Sequence, residues 1–108
     1  MIDLLLPISG PITQQWSELH PAIDIACIQG SPILAAHSGR GDSFYSYEMG
    51  NVFVLKGENG LITSYSHLLS TNKKGVYNRG DVIGYCGSTG RLSTGPHLHF
   101  ESNQKYQF

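Results

Sequence analysis

His97 and His99 stand two apart in the run Gly95-Pro96-His97-Leu98-His99-Phe100-Glu101. On a β-strand, residues two apart project from one face. Two imidazoles held side by side suit a metal site in which one ligates the ion and its neighbour handles protons. Leu98 and Phe100 then point the other way, into whatever core the strand covers. The segment His20-Pro21-Ala22-Ile23-Asp24 adds an imidazole and a carboxylate four apart. Pro21 resists helix propagation and fixes its own φ. Ile23, Ile25 and the small Ala26 suit a strand, and alternation sets Asp24 on the face opposite the two isoleucines. His20, Asp24 and one further imidazole would make a His₂Asp set. Three protein ligands with an open fourth position is the catalytic zinc pattern, whereas structural zinc sites are closed by four ligands rich in thiolate. A water in the open position would have its pKa lowered to about 7.

These side chains need elements to hold them. Ser64-Tyr65-Ser66-His67-Leu68 follows an alternating, strand-like stretch from Val52 to Tyr65. His67 therefore falls where a strand gives way to the polar loop Ser70-Thr71-Asn72-Lys73-Lys74. Thirteen glycines and five prolines cut the chain into short segments, and no window carries convincing 3.6-residue apolar periodicity. Both features predict an all-β, mostly antiparallel fold. At 108 residues, one domain spanning 1–108 is expected.

The ordered set His20-x-x-x-Asp24, Tyr65-Ser66-His67-Leu68, Gly84-Tyr85-Cys86-Gly87-Ser88-Thr89-Gly90 and Gly95 to Glu101 resembles the M23 zinc endopeptidases. That is the lysostaphin-like or LytM family of peptidoglycan hydrolases. The resemblance runs from about Leu6-Pro7 to Glu101. Gly30-Ser31-Pro32-Ile33-Leu34-Ala35-Ala36, Gly50-Asn51-Val52 and Asn78-Arg79-Gly80-Asp81-Val82-Ile83-Gly84 support it. Each piece alone is common; their order and spacing together are specific. The resemblance implies a small β-sheet domain of that type with zinc (Zn2+) in a groove between loops. It implies that His20, Asp24 and His99 are the metal ligands and that His67 and His97 form the catalytic pair. Histidine titrates near neutrality unperturbed, which suits the second role. Which of His67 and His97 is the base and which supports the oxyanion stays open. The implied activity is hydrolysis of an amide bond in peptidoglycan stem or cross-bridge peptides. Relatives of the same fold that activate a partner amidase typically lose zinc ligands, whereas a wall-binding or virion structural module, the third reading, would keep its role when zinc is removed. Here His20, Asp24 and His99 are all present, which favours catalysis.

The chain departs from the family pattern in places. Ala22 replaces a usual glycine, and Gln14 and Gln15 stand where some members carry a tyrosine. Gly39-Arg40-Gly41-Asp42-Ser43-Phe44 lacks the usual apolar strand, which predicts a shorter or looser turn, with Arg40-Gly41-Asp42 at a hairpin tip. The Ser88-Thr89-Gly90 region lacks the Lys-Ser/Thr ending of a phosphate loop and is expected to wall the substrate groove. His37, at no family ligand position, is expected on a surface turn. Cys27 and Cys86 permit one disulfide, but two small buried thiols are the expected arrangement.

Charged residues are only 14% and the net charge is −1, so no electrostatic case exists for nucleic acid or an anionic membrane surface. No stretch approaches the ~20 apolar residues of a membrane span. The run Ile2 to Ile8 lacks a basic n-region and an A-x-A-like cleavage site, so it is expected to be an opening strand and no signal peptide. A wall enzyme of this kind, expected to be a monomer acting on peptidoglycan peptides, suggests a phage-encoded lysin that is virion-associated or released at lysis. The other expectation is a chain trimmed from a larger precursor.

Overall fold

The computed structural model describes residues 1–16 and 22–108. Strands β1 (Ile2–Asp3), β2 (Ile12–Gln14), β3 (Ala22–Ala26) and β4 (Pro32–Leu34) come first. A long hairpin, β5 (Gly39–Ser46) and β6 (Gly50–Lys56), leads through a 3₁₀ turn at Glu58–Gly60 into β7 (Ile62–Leu68). The remainder is β8 (Ser70–Thr71), β9 (Gly75–Tyr77), β10 (Val82–Tyr85), β11 (His97–Ser102) and β12 (Tyr106–Gln107). A seven-stranded sheet runs in the order β2-β3-β11-β7-β6-β5-β9, with antiparallel neighbours throughout. The strands β4-β10-β8 make a smaller antiparallel sheet, and β1 pairs with β12 in parallel. The all-β, mostly antiparallel expectation therefore holds.

Alternation sorts the central strands. Ile23 and Ile25 of β3, Phe53 and Leu55 of β6, Tyr65 of β7 and Leu98 and Phe100 of β11 are buried in one core with Ile33, Ile83 and Cys86. Burying each large apolar side chain is worth about 1.5–3 kcal/mol, so this face fixes the register. Phe100 lies opposite Ile23 on one side and Tyr65 on the other, and its ring meets the Tyr65 ring edge-on at 5.3 Å between centroids. The opposite face of the same strands carries Asp24, His97, His99 and Glu101 beside small or apolar residues such as Ala22, Ala26 and Val54.

Several sequence expectations change here. Gly39 to Phe44 is no short turn: it opens an eight-residue strand paired with β6 from Arg40 to Ser46. Arg40-Gly41-Asp42 lies within that strand, not at its tip. Gly41 is required because a Cβ there would come within 2.2 Å of the Phe53 ring. The alternating stretch from Val52 to Tyr65 is two strands broken at Glu58–Gly60. The opening strand is confined to Ile2–Asp3. Leu4 is buried, and Leu5 N–H donates to the Ala36 carbonyl instead of continuing a ladder.

His37 is buried rather than on a surface turn. Its Nδ1 bonds the Ser38 carbonyl at 2.9 Å and its Nε2 meets Thr63 Oγ1 at 2.8 Å. Thr63 Oγ1 meets the Tyr65 hydroxyl at 2.9 Å, and Ala36 N–H donates to that hydroxyl. Burial lowers the His37 pKa, only partly offset by the Ser38 carbonyl, and pushes Tyr65 up to about 12. The cysteines also differ from expectation: Cys27 and Cys86 form a disulfide with 6.3 Å between Cα atoms. Among the described residues, no helix is long and apolar enough to cross a membrane.

Candidate active site

The face opposite the core brings together Asp24, His97 and His99, and a bulge adds His67. His99 of β11 lies directly opposite Asp24 of β3 and, on its other side, Ser66 of β7. Residues paired this way share a face, so Asp24 and His99 meet because two apolar patterns locked the register. His99 Nδ1 lies 3.0 Å from Asp24 Oδ1, and His97 Nε2 lies 3.8 Å from the same oxygen. All three side chains are largely buried, keeping 13–18% of their surface. His20 and Pro21 lie outside the described residues.

His67 reaches the site by a different route. Strict alternation from core-facing Tyr65 would turn Ser66 to the site and His67 back into the core. A β-bulge intervenes: Phe53 pairs with Tyr65 but Asn51 pairs with Leu68, so Ser66 and His67 together oppose Val52. His67 takes a left-handed φ of 64°, a conformation that costs a non-glycine residue energy. Bulges re-aim side chains. Here the result is a His67 ring 4.9 Å from the His97 ring and 5.9 Å from the His99 ring, centroid to centroid. The His67 N–H donates to the Met49 carbonyl, which holds the bulge against the β5–β6 turn.

The imidazoles are oriented by different partners. His67 Nδ1 bonds the Thr89 carbonyl at 2.7 Å and His97 Nδ1 bonds the Gly95 carbonyl at 2.8 Å. A carbonyl only accepts, so each Nδ1 carries the proton and each Nε2 presents a lone pair. His99 is held the other way round: Nδ1 faces Asp24 and Nε2 lies 3.4 Å from Glu101 Oε1. Burial lowers the His67 pKa; the Thr89 hydrogen bond opposes this, the neighbouring His97 and His99 add to it, and Asp24 opposes it. Its ring is thereby biased toward the neutral, proton-accepting form.

Sequence reasoning found Asp24, His67, His97 and His99, which the structure brings together. It missed the Thr89 and Gly95 carbonyls and the Glu101 carboxylate behind His99. The glycines around the first two were the available signal. A Cβ on Gly90 would come within 2.4 Å of the Gly50 nitrogen, so only glycine lets the Thr89 loop close on the β5–β6 turn.

The donors suit zinc. In the tautomer whose Nε2–H donates to Glu101, His99 Nδ1 offers a lone pair beside a carboxylate oxygen 3.0 Å away. Two electron-pair donors at that separation share a proton or a cation. Ligands bound to one zinc at ~2.0–2.2 Å lie roughly 3–3.5 Å apart. The Glu101 contact behind the imidazole is the kind of outer support that metal-binding histidines carry.

The model for peptidase family M23 matches residues 18–107. DD-carboxypeptidase/endopeptidase Mpg of Neisseria meningitidis is 40% identical over 99 residues, covering 85% of this chain and 21% of that protein. The chain thus spans about a fifth of the length of the curated relatives it matches. A zinc-containing peptidase from Vibrio cholerae superposes with a TM-score of 0.76 at 32% identity, covering 86% of this chain and 33% of the other. The catalytic domain of lysostaphin from Staphylococcus simulans gives 0.69 at 32% identity, covering 77% and 65%. With the family model matching most of its length, the chain belongs to peptidase family M23.

Proposed function

We propose that this chain is a zinc-dependent endopeptidase that hydrolyses amide bonds in peptidoglycan peptides, with His20, Asp24 and His99 holding the metal and His67 and His97 acting on the substrate. The observation that carries the reading is the meeting of Asp24 Oδ1 and His99 Nδ1 at 3.0 Å beneath two imidazoles whose Nδ1 atoms are tied to carbonyls. A zinc ion bound there supplies Lewis acidity toward a carbonyl and acidifies a water. The chain's own residues do the rest. With Nδ1–H fixed, Nε2 of His67 and of His97 can each accept a proton, and once protonated can donate to an oxyanion or a leaving amine. Asp24 Oδ1 faces His97 Nε2 at 3.8 Å. The bulge and the two carbonyls hold both rings in place before substrate arrives, so no reorganisation is needed during reaction.

The relative Mpg is named for action on DD linkages, which supports a D-amino-acid amide as the scissile bond. The Cys27–Cys86 disulfide suits work in an oxidising environment outside the cytoplasm, where the wall lies. Purified sacculi should be digested with zinc-loaded protein and the new termini identified by mass spectrometry. Cleavage at one amide type is expected. Asp24→Ala and His99→Ala should lose bound zinc, whereas His67→Ala and His97→Ala should keep it and lose cleavage. The proposal fails if sacculi of Gram-negative and of Gram-positive cells both stay intact, or if the His67 and His97 variants cut like wild type.

A further inference from the structure

The loop between β10 and β11 leaves the Thr89 carbonyl on His67 and returns to the Gly95 carbonyl on His97. Arg91 lies between these two anchors, so its Cα is at most about 7 Å from that of Thr89 along the chain. The loop is pinned to the turn between β5 and β6: Arg91 N–H donates to the Tyr47 carbonyl and Leu92 N–H to the Glu48 carbonyl. Ser88 and Ser93 close it across their hydroxyls at 2.9 Å. The backbone beneath Arg91 is therefore fixed. Its guanidinium sits over the exposed Tyr47 ring, 5.6 Å from the centroid, a cation–π contact that limits the rotamers it samples.

The charge of Arg91 is otherwise unspent. Among the described residues, the ion pairs are Lys74 with Asp42 and the contacts of His97 and His99 with Asp24 and Glu101. Arg91 is exposed, on the loop whose two ends orient His67 and His97. A planar guanidinium with preset geometry matches a carboxylate bidentately.

We infer that Arg91, steadied by Tyr47, is a specificity residue that binds a free carboxylate of the peptide substrate close to the scissile amide. The inference rests on the proposed peptidase activity and adds a chemical requirement to it. The substrate must carry a carboxylate within a residue or so of the cleaved bond, and masking that group weakens recognition without touching the chemistry.

Two cross-linked muropeptide dimers test this: one with a free diaminopimelate carboxyl beside the D-alanyl amide, one with that carboxyl amidated. A charge-assisted hydrogen bond contributes about 1.5–3 kcal/mol, roughly a tenfold to hundredfold effect. Wild-type protein should cleave the free form with kcat/KM about tenfold or more above the amidated form, chiefly through KM. Arg91→Gln should lose that preference, dropping to the amidated level on the free form and scarcely changing on the amidated one. Arg91→Lys should recover part of it. A merely structural Arg91 would lower both substrates alike, and that result overturns the inference, as does a wild type indifferent to amidation. If wild type cleaves neither dimer nor sacculi, the peptidase reading itself falls.

Discussion

His67 carries a backbone cost as well as a side chain. Its φ of 64° lies where a Cβ crowds the carbonyl, at roughly 1–2 kcal/mol for an L-residue. Glycine escapes that cost but loses about 0.4–1 kcal/mol through the entropy of the unfolded chain. His67→Gly and His67→Ala remove the same ring and differ only in the Cβ. The glycine variant should therefore be the more stable by about 0.5–1 kcal/mol, read as a higher denaturant midpoint, while both are inactive on sacculi. Equal midpoints would mean that the bulge relaxes once the ring is gone. The other site residues were legible because strand alternation is strict: it placed His97 and His99 together and turned Asp24 away from Ile23 and Ile25. His67 was recognisable by its neighbours in sequence, but its orientation was not, because one inserted residue reverses the face of everything after it. The Thr89 and Gly95 carbonyls were illegible for a plainer reason. Any residue type supplies a carbonyl, so residue identity alone cannot place one.

At the scale of elements, β7 serves both faces of its sheet. Thr63 and Tyr65 enter a buried polar chain with His37, and two positions later the bulge delivers His67 to the site. With His37 neutral every proton of the chain has an acceptor: Nδ1–H donates to Ser38, Nε2 accepts from Thr63, and the Thr63 oxygen takes the Tyr65 proton. Burial lowers the His37 pKa below its ordinary 6.5. At pH above about 6.5 the imidazole is neutral in both folded and unfolded chains, and the contribution is fully present. As pH falls through 6.5 the unfolded chain takes up the proton first, so stability declines toward the lower folded pKa. Denaturant midpoints measured from pH 7.5 to 5 should fall more steeply in wild type than in His37→Gln. His67, lowered in the same direction, is common to both proteins and cancels in the comparison. Parallel slopes would remove His37 from the acid sensitivity. Neither this network nor β5 was visible in the sequence. A histidine two before a glycine reads as a turn when the hydroxyl it meets is 26 residues away, and β5 puts Phe44 and Tyr45 into solvent, so its pattern lacks the apolar alternation that marks a half-buried strand.

Across the whole molecule, two sheets must stay in register for the site to persist. Cys27 follows β3, three residues beyond Asp24, on the large sheet; Cys86 follows β10 on the small one. Their disulfide joins the strand that carries Asp24 to the segment that begins the Thr89 loop. Backbone hydrogen bonds on either side extend the join: Gly30 N–H to the Cys86 carbonyl, Cys86 N–H to the Ser31 carbonyl, and His97 N–H to the Gly87 carbonyl. The bridge closes a sequence separation of 59 residues, for which loss of unfolded-chain entropy gives about 4 kcal/mol and measured removals about 2–5 kcal/mol. For a chain of this size that is a large part of the total stability. The Cys27→Ala/Cys86→Ala double variant should unfold with about 2–4 kcal/mol less stability than the oxidised protein, and thiol reduction of wild type should lower it comparably. Because the bridge ties Asp24's strand to the loop orienting His67 and His97, zinc retention should also weaken in the reduced protein while it is still folded, as followed by release to a chromophoric chelator below the unfolding midpoint. Unchanged unfolding on reduction would make the bridge incidental to the fold. Weakened folding with unchanged zinc release would confine its role to holding the two sheets together and leave the site's geometry to the β3–β11–β7 register alone.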